Sequence, residues 1–256
     1  IRARCGGVLR GDADYAHTAA HTARNPTDHR RTMYKPAFQP KFIKQLKEKT
    51  TVGITIQSGA QLWASSMAAC GWDYLVIDVV NSALSQIDIQ SVQMAIGDAS
   101  PNTPVLIKVG GPSDRTLIQA ATDTGAAGVL VPGCVCLADV QKARSVTLFP
   151  TTGTRSFYGP VRAHHREGMF THILTADAKI VMAVQFEKAP RAEWAAMMSA
   201  DFHVAVLDIP QLCVALGLFD ALLKTPPTGA TPWERLKPFK SVFADPAALA
   251  LGGVCA

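Results

Sequence analysis

Six short apolar runs separated by helix-length stretches constrain this chain more than any other feature. The runs are Val52–Ile56, Tyr74–Asp78, Val105–Val109, Gly128–Gly133, Ile180–Glu187 and Phe202–Asp208. They are dense in Val, Ile and Leu and lack polar alternation, which is the pattern of parallel strands buried on both faces. Between them lie the helical segments Ala60–Ala69, Gln86–Gly97, Ser113–Thr124, Leu137–Leu148, Pro190–Ser199 and Gln211–Leu223. Two weaker runs, Ser241–Ala244 and Gly253–Ala256, bring the candidate strands to about eight. Repeated strand–helix alternation of this length predicts an α/β protein, a (β/α)8 TIM barrel over residues 41–256. A doubly wound open sheet is the competing architecture, but no G-x-G-x-x-G follows the first run. With 256 residues, 48% of them hydrophobic, the chain is long enough for one large core.

Residues 1–40 follow different rules. Gly6-Gly7, Asn25-Pro26, Pro36 and Pro40 interrupt any regular element, and eleven of the basic residues fall between Arg2 and Lys49. This stretch reads as an extended basic arm that needs a surface to lie on. A chain start rich in Arg, Ala, His and Thr resembles the region around a processed organellar targeting sequence, and an incomplete start is the alternative. Beyond the arm the charges nearly balance, so nucleic acid is not an expected partner. No apolar stretch reaches the roughly 20 residues of a membrane-spanning helix.

The six cysteines form no C-x-x-C pair, and Cys70, Cys134 and Cys213 sit among small or apolar residues as reduced structural cysteines do. His164-His165, His17, His21 and His29 read as solvated surface residues. Trp63, Trp194, Met67, Met197 and Met198 read as packing groups on helices.

In a barrel of this kind the chemistry stands at the C-terminal ends of the strands. Four runs end there in ionisable groups: Asp78, Lys108, Glu187 and Asp208. One such residue is as easily solvated as functional, because burying an unpaired charge costs several kcal/mol. Four together make a candidate site.

The run Gly71–Asp78, then Pro104–Lys108, Thr122–Pro132, Phe149–Arg155, Val184–Glu187 and finally Asp245-Pro246-Ala247 resemble, in order, motifs of the HpcH/HpaI aldolase/citrate lyase family. That family comprises class II pyruvate aldolase-like and macrophomate synthase-related proteins. The resemblance covers about residues 41–256, and its most specific part is Asp123–Pro132 followed by Pro150–Arg155. It implies a TIM barrel, often hexameric, whose Glu and Asp hold a divalent metal that binds a keto acid. It further implies an Arg that polarises the keto oxygen and a His–Asp pair that moves a proton.

Carried over residue by residue, the resemblance puts Glu187 on the metal-binding Glu and Asp123 on the Asp of the proton-transfer pair. Asp78 falls on the acid of an I-D-x-E-H run, and Arg155 on the Arg of a P-x-G-x-R loop. The departures are Val80 and Asn81 for the Glu and His, Lys108 for the Arg, and Gln211 for the second metal ligand. Asn cannot exchange a proton near neutral pH, and Lys lacks the planar fork of Arg. Pro226, Pro227, Pro232 and Pro238 further predict a shortened C-terminal part.

These losses lead to an expectation of a catalytically degenerate barrel, a pseudoenzyme serving as an accessory or structural subunit of a larger assembly. Its partners would be other protein subunits engaged through the 1–40 arm, or further copies of the chain, with no nucleic acid and no membrane span. The expected location is the mitochondrial matrix side, with the cytoplasm as the alternative, and no cofactor is expected. The opposing reading is an active metal-dependent carbon–carbon lyase of the pyruvate-aldolase or oxaloacetate-decarboxylase type. It would use Glu187 with Asp208 for Mg2+ or Mn2+, and Lys108 for the keto oxygen. Asp78, Asp123, Lys108 and Arg155 are then catalytic candidates, vestigial under the first reading.

Overall fold

Apolar runs and intervening helices resolve into a sheet wrapped by helices in a computed structural model, which describes residues 40–49, 51–156 and 168–215. Helix α1 (Pro40–Glu48) precedes β1 (Gly53–Ile56), α2 (Gln61–Ala69), β2 (Tyr74–Asp78), α3 (Gln86–Ala99), β3 (Val105–Lys108) and α4 (Arg115–Asp123). There follow β4 (Gly128–Val131), α5 (Leu137–Thr147), α6 (Met169–Ala176), β5 (Val181–Phe186), α7 (Arg191–Met198), β6 (Val204–Leu207) and α8 (Ile209–Ala215).

Every strand pairs in parallel with its neighbour in sequence, giving the order β1-β2-β3-β4-β5-β6. A doubly wound sheet reverses its order at a switch point, and this one does not. The six strands are therefore a parallel α/β half-barrel. The two weaker strand candidates and residues 1–39 lie outside the described residues.

Successive strand residues point to opposite faces, and the core divides accordingly. Leu75, Ile77, Val105, Ile107, Val129, Val131, Met182, Val184 and Phe186 pack outward against the helices. Val76, Leu106, Leu130, Val181, Ala183 and Val204 form the second cluster, on the inner face. Helix α1 joins that second cluster through Phe42, which is 1% exposed, with Ile43 and Leu46 packed beside it. Asp73, just before β2, fixes α1 in place by accepting from Gln45 Nε2 at 2.9 Å, Lys49 Nζ at 2.6 Å and the Val52 amide at 2.9 Å. α1 therefore sits at the end of the sheet where strands begin.

Two glycines of the most specific sequence stretch and its continuation have physical causes. A Cβ on Gly128 would collide with the Val181 carbonyl oxygen, so only glycine lets β4 and β5 pair there. Gly133 has φ +72°, a turn that most side chains resist. Helix α3 opens with a reciprocal capping box between Ser85 and Asp88, which ends the β2–α3 loop sharply. Helix α6 has no counterpart among the helices read from the sequence.

Candidate functional site

The two-residue period that builds the inner face continues past the apolar layer. Thr55, Val76, Leu106, Ala183 and Val206 are followed two residues later by Gln57, Asp78, Lys108, Gln185 and Asp208. One more step along β5 reaches Glu187. Alternation alone thus places a polar layer at the strand ends, above an apolar lining. Asp78, Lys108, Gln185 and Asp208 line one cavity of about 490 Å³, whose deeper wall includes Val76, Leu106, Leu130 and Val206.

Asp78 and Lys108 are register partners on β2 and β3. Their ion pair spans 3.2 Å, with the side chains 4% and 12% exposed. Asp78 has other donors as well. Its Oδ1 accepts from the amides of Val80 (3.0 Å) and Asn81 (2.9 Å), and its Oδ2 accepts from Asn81 Nδ2 (2.8 Å) and Gln57 Nε2 (3.4 Å). Burial pushes the Asp78 carboxyl up, but the Asn81 hydrogen bonds and the Lys108 charge outweigh it and hold the group below its ordinary value. Asn81 thus clamps Asp78 in its ionised form.

Across the mouth, Gln185 Nε2 donates to Glu187 Oε2 at 3.1 Å and to Asp208 Oδ2 at 2.9 Å. Two carboxylates from the ends of adjacent strands therefore converge on one amide. The other oxygen of Asp208 accepts from the Gln211 amide at 3.2 Å, which caps α8 and fixes the side chain. The sequence placed Gln211 at the second ligand position. The structure brings Asp208 to Glu187 instead, and the exposed Gln211 contributes its backbone. Gly133 lies beside this pair, its vacant Cβ position 3.7 Å from Glu187 Oε1.

Asp123 and Arg155 do not join the group. Asp123 is the last residue of α4, and the following Ala127 amide donates to the carbonyl of Val105, the first residue of β3. The pair therefore stands at the end where strands begin, opposite Asp78 and Lys108. There Arg155, 1% exposed, bonds Asp123 Oδ1 at 2.7 Å and lies 4.3 Å over the Phe149 ring. Helices return the chain to the other end of the sheet, so motif order along the sequence does not imply proximity. The structure pairs these two catalytic candidates with each other and places them away from the residues that line the cavity.

The Cys134 thiol is pushed up to about 12, by burial first and then by Asp139, Cys136 and Glu187, and stays protonated near neutral pH. Among the described residues no helix is long and apolar enough to cross a membrane. Sequence reasoning missed Gln185 and Gln57. The signal was present for Gln185, because it occupies an inner-face position two residues before Glu187.

A parallel wall of consecutive strands with ionisable groups at its C-terminal rim is the architecture of TIM-barrel-like α/β proteins. No family model matches the chain. It is 30% identical over 151 residues to the hydroxypyruvate/pyruvate aldolase of Paraburkholderia phytofirmans, covering 57% of each chain. It is 26% identical over 149 residues to the 2-keto-3-deoxy-L-rhamnonate aldolase of Klebsiella pneumoniae, covering 58% of this chain and 55% of that protein. The match thus spans little more than half the length of these relatives. Among solved structures, an HpcH/HpaI aldolase/citrate lyase family protein from Burkholderia cenocepacia superposes with a TM-score of 0.69 at 24% identity, over 85% of this chain and 83% of that one. The motifs thus point to the same proteins as the comparisons do: relatives named as aldolases, and structural neighbours from the HpcH/HpaI aldolase/citrate lyase family.

These relatives overturn the expectation of a catalytically degenerate accessory subunit, since they are named as aldolases. Asp208, named with Glu187 in the opposing reading, accepts from the same Gln185 amide as Glu187 does.

Proposed function

We propose that the protein is a divalent-metal-dependent carbon–carbon lyase acting on a short 2-keto acid, of the pyruvate-aldolase or oxaloacetate-decarboxylase type. The observation that carries this reading is the convergence of Glu187 and Asp208 on Gln185 at the mouth of the cavity. Two hard carboxylate oxygens on a fixed base suit Mg2+ or Mn2+, which complete their shell with water and substrate oxygens. Gln185 orients both carboxylates, and its amide can present oxygen in place of nitrogen by turning over.

A divalent cation held by Glu187 and Asp208 would supply Lewis-acid polarisation of the substrate's keto oxygen. Lys108 supplies a second positive charge at the keto oxygen, and Asp78 holds that ammonium in place. Asn81 keeps Asp78 ionised and moves no proton itself. Residues 216–256 complete the barrel in this reading, with Ser241–Ala244 and Gly253–Ala256 as its last strands, and residues 1–40 form a separate arm.

The test is turnover of oxaloacetate, and of pyruvate with a short aldehyde, by the full chain with Mn2+. Activity should vanish with EDTA and fall at least 100-fold in Glu187→Gln and Asp208→Asn, with weakened Mn2+ binding by calorimetry. Unchanged Mn2+ affinity in both variants, or turnover indifferent to EDTA, overturns the metal assignment.

A further inference from the structure

We infer that the Lys108 ammonium is the acid that protonates the substrate carbon left electron-rich when the carbon–carbon bond breaks. The inference rests on reading the cavity as a keto-acid lyase site and adds to that reading the origin of the proton. Cleavage leaves an electron pair on the carbon beside the keto group, and that carbon must gain a proton before the keto product is complete. Asn81 cannot deliver one.

Three observations assign the proton to Lys108. First, the ammonium stands in the cavity. Lys108 ends β3 on the inner face with its side chain 12% exposed, and it lines the same cavity as Gln185 and Asp208. Its bond to Asp78 Oδ2 at 3.2 Å uses one of its three N–H groups and leaves the others for a substrate. Second, the other polar groups described at the mouth are not proton donors of this kind. Asp78 is held ionised, Glu187 and Asp208 accept from Gln185, and Gln57 and Gln185 are amides. The phenol of Tyr74 lines the same cavity, but it begins β2 while Asp78 ends it, roughly 13 Å away at about 3.3 Å per residue. Third, Asp78 keeps the donor charged between turnovers. Val80, Asn81 and Gln57 give it four other hydrogen bonds, so it remains a carboxylate when the proton leaves Lys108. A carboxylate at that distance favours the charged amine, which recovers its proton from water.

With oxaloacetate as substrate, the bond to the outer carboxylate breaks, its electron pair enters the keto group to give the enolate, and CO2 leaves. Lys108 gives one proton to the enolate carbon, forming pyruvate and a neutral amine. The amine takes a proton from water, and the hydroxide left behind combines with CO2 as bicarbonate. The sum is oxaloacetate plus water giving pyruvate plus bicarbonate, with Lys108 restored. The enolate carbon is two bonds from the keto oxygen, so an ammonium on a flexible stem that faces the oxygen reaches the carbon as well. A guanidinium in its place keeps its protons.

The experiment reads the handedness of protonation. Malate stereospecifically deuterated beside its outer carboxylate is oxidised in place to oxaloacetate. The full chain with Mn2+ decarboxylates it in tritiated water, the reaction without protein is subtracted, and the configuration of the pyruvate methyl group is assayed. A fixed donor serves one face, so the wild type is expected to give one configuration. Lys108→Arg keeps the charge but not the acid, and is expected to release CO2 more slowly and to give both configurations equally. Lys108→Met, which keeps much of the stem, gives the same reading where circular dichroism shows the Arg variant misfolded. One configuration from either variant, or both from an active wild type, overturns the assignment. So does a folded Arg variant that binds Mn2+ yet releases no CO2, since it ties the ammonium to bond cleavage. A wild type that binds no Mn2+ or releases no CO2 sinks the lyase reading itself, which separates that failure from a failure of Lys108 alone.

Discussion

At the scale of single residues, identity mattered less than what each side chain faces. Asp78 and Asp123 are both aspartates drawn from the same set of motifs, yet one lines the mouth and the other neutralises a buried arginine at the opposite end. Arg155 has Nη2 on Asp123, while its Nε and Nη1 are buried without a hydrogen-bond partner among the described residues. Removing the carboxylate that bonds such a group leaves a buried charge under-compensated, which costs about 3 kcal/mol or more. Asp123→Ala should lower the urea midpoint accordingly while leaving the turnover of folded molecules near wild type. A stable Asp123→Ala protein with no turnover would return Asp123 to the active site. The sequence showed four ionisable strand ends correctly as a set, because strand polarity and alternation locate them. It could not separate Asp123 and Arg155 from them, since which end a helix returns to matters more than which motif the residue belongs to.

At the scale of elements, the join between β5 and β6 carries a built-in sensitivity to acid. His203, just before β6, uses Nδ1 to accept the Met182 amide at 3.1 Å, while its own amide donates to the Met182 carbonyl at 2.8 Å. The imidazole must be neutral at Nδ1 to accept. Burial, followed by the charges of Arg144 and Lys47 and opposed by Asp201, holds its pKa below the ordinary 6.5. The folded state therefore takes up its proton at lower pH than the unfolded chain does. The stability contributed by His203 is complete above about 6.5 and is lost as the pH falls through the lower folded value. Urea midpoints measured from pH 7.5 to 5 should fall, and fall less in His203→Gln. A parallel decline in that variant would assign the acid sensitivity to other groups. Because β5 and β6 carry Glu187 and Asp208 at their ends, Mn2+ affinity should weaken over the same range. The strands themselves were legible from their apolar runs to within a residue or two. Helix α6 was not, because it presents Phe170 and Leu174 outward at 76% and 83% exposure, against the usual pattern.

At the scale of the whole molecule, the inner and outer faces of one sheet perform different tasks. The outer face binds the helices. The inner face is apolar below and ionisable above, and α1 covers its lower end through Phe42. Phe42→Ala should cost about 3 to 5 kcal/mol, read as a drop in the thermal midpoint, because it empties a site packed against Tyr74 and the inner cluster. An unchanged midpoint would show α1 to be peripheral. The sequence by itself determined the parallel α/β class, the strand polarity and the polar character of the strand ends. It did so because a two-residue period and buried runs are local properties of a chain. Only the tertiary structure decided which carboxylates meet. Glu187 and Asp208 converge through Gln185 because β5 and β6 are hydrogen-bonded neighbours in register, and register is a relation between segments that no one segment contains.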